Sequence, residues 1–128
     1  MSTASPWMLI DTSVWIEVLR DGSVEFVPVV EQLLHDHRAA MCEPVWLELY
    51  RGVRGKREIR QLEELKRLCR WFTFDDRCWS LAADVALNCR KKGHNIPLGD
   101  VLIFACAKRY NAPVLETDKH FDAMSKHG

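Results

Sequence analysis

The chain has 128 residues, of which 48% are hydrophobic, which is enough for one compact core and not for two domains. We therefore expect one domain over residues 1–128. Its 18 Lys and Arg residues balance 18 Asp and Glu residues, which argues against a histone-like or tail-type nucleic-acid binder, because such proteins depend on a large basic excess. The balance does not exclude a nuclease with its own acidic site.

Hydropathy and cysteine spacing indicate a cytoplasmic protein with no membrane partner. The longest fully apolar run, residues 101–107, is far shorter than the ~20 residues that span a bilayer. No basic segment precedes the apolar stretch at residues 7–10, so no signal peptide is visible. The five cysteines form neither a disulfide framework nor a CxxC metal motif, which is typical of buried apolar thiols in a reducing compartment.

Short apolar segments alternate with amphipathic ones along the whole chain. The predicted strands are residues 7–10, 39–42, 71–74 and 113–116. The predicted helices are 12–22 with Thr12 or Ser13 as its cap, 24–37 delayed to about Pro28, 43–52, 57–70, 75–93 with Asp75 or Asp76 as its cap, 101–110 and 119–124. Strands that alternate with helices predict a parallel sheet covered by helices, which is a three-layer α/β/α domain.

Four acidic residues fall at informative places in this pattern. Asp11 directly follows the first strand, and Asp118 lies two residues past the last one, whereas Asp100 lies at the entry of the central helix and Glu48 lies in the helix after the second strand. In parallel α/β sheets the carboxyl ends of the strands form the face where ligands bind. We therefore expect all four carboxylates to reach one edge of the sheet.

A carboxylate cluster has a definite chemical implication. Like charges repel and raise each other's pKa, whereas a bound divalent cation reverses that cost. Oxygen-only ligation favours Mg²⁺ or Mn²⁺ over Zn²⁺. The chemistry that matches such a site is phosphodiester hydrolysis by water, which requires no Ser, Cys or His nucleophile.

Each acid also has a purely structural alternative. Asp100 and Asp118 can simply cap the helices that follow them, since a carboxylate at a helix N-terminus stabilises it by about 0.5–2 kcal/mol. Glu48 can lie on an exposed helix face. Asp11 is harder to explain in this way, because an acid that ends an apolar central strand is poorly placed for a surface charge.

Four segments resemble, in order, the acidic motifs of the PIN domain, as found in bacterial toxins of the VapC type. They are residues 9–16, an apolar strand that runs into Asp-Thr-Ser; residues 46–52, a Glu four residues before a Gly; residues 96–105, an Asp followed by an apolar helix; and residues 115–121, Thr-Asp before a Phe. Each motif is weak by itself, but the four together, in this order and spacing, are specific. They cover nearly the whole chain.

This resemblance implies a PIN-like fold and a Mg²⁺- or Mn²⁺-dependent endoribonuclease, the toxin of a type II toxin–antitoxin pair. Asp11 and Asp100 would be the principal metal ligands, and Glu48 and Asp118 would complete the catalytic acidic pocket. Thr117 and Ser13 would support these ligands. RNA would be the substrate, a small antitoxin would lie across the active-site groove, and the chain would form a homodimer.

The resemblance also bears on the sheet. Members of the family usually continue past the Phe motif into a final edge strand, and this sequence ends at Gly128. The sheet is therefore expected to have four or five strands.

Basic and aromatic residues supply candidates for contacts with RNA and partners. Residues 51–70 carry eight basic and three acidic side chains, and within them Arg51 and Arg54 are the candidates for phosphate contacts, with a solvated helix face as the alternative. Trp15 and Trp46 are candidates for the antitoxin groove, although core or interface packing is the more usual role of Trp. His120 is interpreted as a supporting or surface residue.

Two rival functions follow from the same residues. The first is a catalytically quiet module of the same fold that holds RNA or a partner in the pocket. The second is an aspartyl phosphotransferase, which fails because that chemistry needs an acid two residues after Asp11, where this chain has Ser13.

Overall fold

The computed structural model describes residues 6–128, apart from the side chain of Asp21, and is built around one parallel sheet. Its four strands are β1 (Met8–Ile10), β2 (Ala39–Cys42), β3 (Arg70–Phe72) and β4 (Val114–Leu115). The strands lie in the order β3-β2-β1-β4, and every pair of neighbours is parallel. The prediction of four or five parallel strands is confirmed with four among the described residues.

Helices make up most of the remaining chain. They are α1 (Thr12–Ile16), continued by a π-helical segment (Glu17–Asp21), α2 (Phe26–His35), α3 (Glu43–Arg51), α4 (Lys56–Leu68), α5 (Asp76–Lys91), α6 (Leu98–Arg109) and α7 (His120–His127). All four residues of β2 are buried, and successive strand side chains point to opposite faces. The sheet is therefore covered on both faces, as an α/β fold requires.

Strand order places a crevice beside β1. The chain adds β2 and then β3 on one side of β1 and returns to add β4 on the other side. Such a change of direction opens a crevice at the carboxyl ends of the two strands, which is where ligands bind in open parallel sheets. The backbone N–H of Asp11 donates to Leu115 O at 2.9 Å, so β1 and β4 are joined up to the mouth of this crevice.

The core combines the strands with the central helix α6, where Ile103, Ala105 and Cys106 have no exposed surface. Trp15 and Phe72 are the largest of the fully buried side chains. Four of the five free cysteines are buried, and Cys69 is half-buried. Their predicted role as apolar thiols agrees with this burial.

Several predicted boundaries were wrong for local reasons. The N-cap of α1 is Asp11, whose carboxylate accepts from Ser13 N, and not Thr12 or Ser13. Helix α2 begins two residues before Pro28, because a proline in the first turn forfeits no intrahelical hydrogen bond.

The third strand and the central helix also differ from the prediction. Strand β3 ends before Phe74, because the Phe74 N–H donates to a carboxylate oxygen of Glu43 instead of a neighbouring strand. Helix α6 begins at Leu98 and not at Val101. Between residues 6 and 128, no helix is both long and apolar enough to cross a membrane.

Candidate active site

Asp11 is held in a buried position at the carboxyl end of β1. Its residue surface is only 4% exposed. Its Oδ2 accepts hydrogen bonds from Ser13 Oγ at 2.6 Å and from Ser13 N at 3.4 Å. Burial raises the pKa of Asp11, the hydrogen bonds from Ser13 oppose that rise, and the charge of Asp118 adds to it. A positive charge beside this buried carboxylate would stabilise its ionised form.

Asp100 and Asp118 meet at a shared histidine. Asp100 lies in the first turn of α6, and Asp118 lies in the loop between β4 and α7. The Nδ1 atom of His120 is 2.8 Å from Asp100 Oδ2 and 2.8 Å from Asp118 Oδ1. One ligand atom from each of the three residues lies within 4.8 Å of the other two, which is close enough for a single metal ion.

Electrostatic coupling joins these groups to Asp11. Burial raises the pKa of Asp100, the hydrogen bond from His120 opposes this, and the charges of Asp118 and Asp11 raise it further. The carboxylate of Asp100 in turn raises the pKa of His120. Asp11, Asp100 and Asp118 therefore share one electrostatic environment at the mouth of the crevice.

Glu48 reaches the same place from α3. Its Oε1 accepts a hydrogen bond from Thr12 Oγ1 at 2.7 Å. Its Oε2 lies only 2.8 Å from the position that a Cβ on Gly99 would occupy. The Glu48 carboxylate is thus held between Thr12, which follows Asp11, and Gly99, which precedes Asp100. An exposed-face position for Glu48 is excluded.

Two hydroxyl groups connect the last motif to the first. Thr117 Oγ1 donates to Ser13 Oγ at 3.1 Å, and Ser13 Oγ donates to Asp11 Oδ2 at 2.6 Å. This relay fixes the rotamer of the Asp11 carboxylate and ties the loop after β4 to the start of α1. Ser13 and Thr117 therefore lie beside Asp11.

The capping alternatives have different outcomes for the two aspartates. Asp118 precedes Lys119, the N-cap of α7, but its Oδ1 accepts from the first N–H of that helix, His120 N, at 2.9 Å, and it also contacts the His120 ring. Asp100 does not cap α6, whose N-cap is Pro97 without a side-chain hydrogen bond. Capping therefore does not explain the position of Asp100.

Two residues near the acids were not predicted as ligands, and one of them, His120, was interpreted as a supporting or surface residue. His120 bridges two carboxylates. The sequence feature that could have indicated this is its position two residues after Asp118, at the first residue of α7. Glu116 is the other: its Oε2 is buried with no hydrogen-bond partner among the described residues. Burial raises the pKa of Glu116, and the charges of Asp122, Asp11 and Asp118 add to that rise.

The basic candidates lie at the end of α3 and beyond it. Arg51 is exposed, as phosphate contact requires. Arg54 is also exposed, but its Nε pairs with Glu58 Oε2 at 3.2 Å, and its backbone N–H donates to the same carboxylate. Arg20 also contacts Glu58, at 3.5 Å, so part of the positive charge here is balanced within the protein.

The tryptophan candidates separate clearly. Trp15 is 1% exposed, so it is a core residue, the more usual role of Trp, and it is no longer a candidate for a partner groove. Trp46 is half-buried and packs against Tyr50 and Trp71, with ring centroids 4.9 and 5.6 Å apart. The Nζ atom of Lys66 lies 5.8 Å from the Trp46 ring centroid. Trp46 thus belongs to an aromatic cluster at the β3 edge of the sheet.

The donor set suits a divalent cation. Asp11, Glu48, Asp100 and Asp118 supply carboxylate oxygens, and the first and third have pKa values raised mainly by burial. Carboxylates crowded in this way are stabilised by a bound cation. The residues therefore fit the Mg²⁺ or Mn²⁺ expected from the sequence.

Comparison with known proteins agrees with this geometry. The PIN domain family model matches residues 8–127. This chain belongs to the PIN domain family. It is 32% identical over 123 residues to Ribonuclease VapC11 of Mycobacterium tuberculosis. That match covers 93% of this chain and 92% of VapC11.

Solved structures have the same fold as this PIN domain. VapBC-1 from nontypeable Haemophilus influenzae superposes with a TM-score of 0.79 at 22% identity and covers 94% of this chain and 93% of that one. VapBC2 from Rickettsia felis, bound to a DNA fragment from its promoter, gives a TM-score of 0.78 at 18% identity and covers 90% of both chains. The predicted PIN-like α/β fold is confirmed.

Proposed function

We propose that this PIN domain is a metal-dependent endoribonuclease that cleaves RNA phosphodiester bonds. The observation that carries the proposal is that Asp100, Asp118 and His120 offer ligand atoms close enough for one cation, beside the buried Asp11, whose charge is coupled to those of Asp100 and Asp118. Its 32% identity to Ribonuclease VapC11 over most of both chains supports ribonuclease activity. Acids that lie close together, with Asp11 buried among them, cost stability unless a cation binds there.

Within this function, Asp11 and Asp100 are the principal ligands of Mg²⁺ or Mn²⁺, and Glu48 and Asp118 complete the pocket. A divalent ion bound there activates water and offsets the charge that develops on the leaving oxygen. Ser13 and Thr117 orient Asp11 through the hydroxyl relay. The attacking group is water, so the chain supplies ligands and orientation and no covalent nucleophile.

Charge supports RNA as the substrate. The formal net charge of zero includes the four carboxylates of the site, so the rest of the chain carries +4. With two divalent ions in the pocket, the loaded protein would present about +4 to RNA, which favours association with a polyanion. We assign the first phosphate contacts to Arg51 and Arg54, at the end of the helix that carries Glu48.

We also propose the biological role of a type II toxin, held inactive in the cytoplasm by a small antitoxin and assembled as a homodimer. The similarity to VapC11 and to VapBC structures supports this role. A small pocket of about 40 Å³ lies beside Glu48. It is enclosed by α1 with the π-helical segment on one side and by helices α3 and α4 on the other. Its apolar lining consists of Ile16, Leu19, Leu49, Val53 and Leu62, and Arg20, Glu48, Glu58 and Gln61 line its polar side. An antitoxin segment with an apolar side chain would fit there next to the acids.

The test is RNA turnover by matched carboxamide variants. Asp11→Asn and Asp100→Asn should keep the wild-type circular dichroism spectrum, lose cleavage of structured RNA in Mn²⁺ and bind Mg²⁺ more weakly. Asp84→Asn, an exposed aspartate on α5, is the control for removing one negative charge. Full activity in Asp11→Asn or Asp100→Asn would refute the mechanism.

The alternative is a catalytically quiet module that binds RNA or a partner through the same pocket. The intact set of four acids counts against it. The same assay separates the two functions, since a quiet module would bind RNA without turnover at any Mn²⁺ concentration.

A further inference from the structure

His120 stands apart from the other residues of the site because it contacts two carboxylates with one atom. Its Nδ1 lies 2.8 Å from Asp100 Oδ2 and 2.8 Å from Asp118 Oδ1. Ligand atoms at adjacent vertices of an octahedron are about 2.9 Å apart when metal–ligand bonds are 2.0–2.1 Å. Each oxygen therefore already has the spacing from the nitrogen that neighbouring ligands of one ion have, and all three atoms lie within 4.8 Å of one another.

Hydrogen bonding alone accounts poorly for this arrangement. A ring nitrogen carries at most one proton, so Nδ1 can donate fully to only one of the two carboxylates that it contacts. A divalent cation would accept one lone pair from Nδ1 and one from each carboxylate, and all three contacts would be satisfied at once.

Backbone contacts and core packing hold His120 in a position from which it can bind a cation. The backbone N–H of His120 donates to Asp118 Oδ1 at 2.9 Å, which sets the carboxylate relative to the first residue of α7. The next residue, Phe121, is 4% exposed and anchors the helix in the core. Asp100 precedes Val101, which is 3% exposed. Asp100 and His120 thus lie in the first turns of helices that pack into the core, and the backbone hydrogen bond from His120 holds the Asp118 carboxylate beside them.

We propose that His120 Nδ1 is a direct ligand of the catalytic cation and makes the site select Mn²⁺ over Mg²⁺. This inference rests on the proposed function. Mg²⁺ takes oxygen ligands almost exclusively, whereas imidazole is a good ligand for transition metals. Replacing one oxygen of an all-carboxylate site by a nitrogen therefore favours the transition metal. The exposure of the His120 side chain, 40%, leaves room for an incoming phosphate beside it.

The experiment measures metal binding without RNA. Calorimetric titrations of the wild-type chain and of His120→Gln with Mn²⁺ alone, and with Mg²⁺ alone, give the two affinities. Loss of an outer contact to a metal ligand already costs about 10–100-fold in affinity, so we expect His120→Gln to weaken Mn²⁺ by about tenfold or more and Mg²⁺ much less. His35→Gln, an exposed histidine at the end of α2, is the matched control and should change neither affinity.

Electron spin echo spectroscopy of bound Mn²⁺ gives a direct signature. The wild-type chain should show ¹⁴N modulation from a coordinated imidazole, and His120→Gln should lack it. Absence of that modulation in the wild type, equal losses for Mn²⁺ and Mg²⁺, or tighter Mn²⁺ binding by His120→Gln would overturn the inference.

Failure of the inference and failure of the proposed function give different results. If the wild type binds Mn²⁺, cleaves RNA and shows no nitrogen coupling, only the role of His120 is wrong. If the wild type binds neither ion, the cation site and the role of His120 both fail. Asp100→Asn, expected to weaken both ions, confirms that the titration reports the acidic pocket.

Discussion

Gly99 lies against the carboxylate of Glu48, and its replacement by alanine separates catalysis from stability. An added Cβ would lie 2.8 Å from Glu48 Oε2 and 3.2 Å from Cδ. Ordinary contact begins at 3.4 Å, so the carboxylate has to move by about 0.6 Å. The hydrogen bond from Thr12 that now holds it, 2.7 Å long, is stretched or lost by that movement.

The two effects have different magnitudes. Loss of the Thr12 hydrogen bond costs about 1 kcal/mol, and alanine in place of glycine in a helix returns up to about 1 kcal/mol. The free energy of unfolding of Gly99→Ala should therefore stay within about 1 kcal/mol of wild type. A misplacement of about 1 Å at a reacting centre can lower the rate about 100-fold, so a shift of about 0.6 Å predicts a loss of roughly 10- to 100-fold.

The assay combines urea unfolding with cleavage of structured RNA in Mn²⁺. Glu48→Gln is the reference background, and adding Gly99→Ala to it should lower the rate no further, because the displaced group has already lost its charge. A wild-type rate for Gly99→Ala would refute the placement of Glu48 in the catalytic pocket. An additional loss in the Glu48→Gln background would show that Gly99 acts through another group.

Three further predictions follow from residues outside the pocket. Arg109 holds the pKa of Asp75 below its usual range, so Asp75→Asn should lower Tm at pH 7, and the difference should shrink as pH falls below the ordinary Asp pKa of about 4 towards the lower folded pKa. Burial raises the pKa of Cys69 to about 12, so its alkylation at pH 8 should be at least about 100-fold slower in the folded chain than in urea. Trp15→Ala should cost about 3–5 kcal/mol of unfolding free energy, and Trp46→Ala clearly less.

Each of these has a contradicting result. A Tm difference for Asp75→Asn that grows on acidification would mean that Arg109 does not stabilise the carboxylate. Equal alkylation rates for Cys69 in the folded and unfolded chain would contradict its burial. Equal destabilisation by the two tryptophan substitutions in urea titrations would show that Trp15 is not the core residue and Trp46 the peripheral one.

Periodicity and strand-end chemistry were enough to predict the architecture and to single out Asp11 and Asp118 at the strand ends. The apolar run before Asp11 and the position of Asp118 after the last strand follow from parallel-sheet geometry, and the structure brings both to the β1–β4 crevice. The sequence left two positions possible for Glu48, on the surface or in the site. Helix periodicity does not show which part of the protein packs against a half-buried helix face. The contacts of Glu48 with Thr12 and Gly99 come from α1 and α6, and no local pattern encodes them.

The missed features depend on tertiary contacts. The burial of Trp15 agrees with core packing, the more usual role of Trp, and only its alternative role in a partner groove is excluded. The bridging position of His120 depends on the meeting of α6 and α7, which are separate in sequence. Element boundaries differ from the prediction for the same reason. For example, the backbone N–H of Phe74 donates to Glu43, and β3 ends at Phe72.

The central claim is that the four-acid pocket cleaves RNA only with a divalent ion, and a chelation cycle tests it most directly. Cleavage of structured RNA by the wild-type chain is measured before EDTA, in excess EDTA, and after Mn²⁺ is restored, with Asp100→Asn beside it throughout. We predict that wild-type cleavage is abolished by EDTA and recovered with Mn²⁺, and that Asp100→Asn is inactive at every step. Wild-type cleavage that persists in excess EDTA, or activity of Asp100→Asn equal to wild type, would contradict the claim.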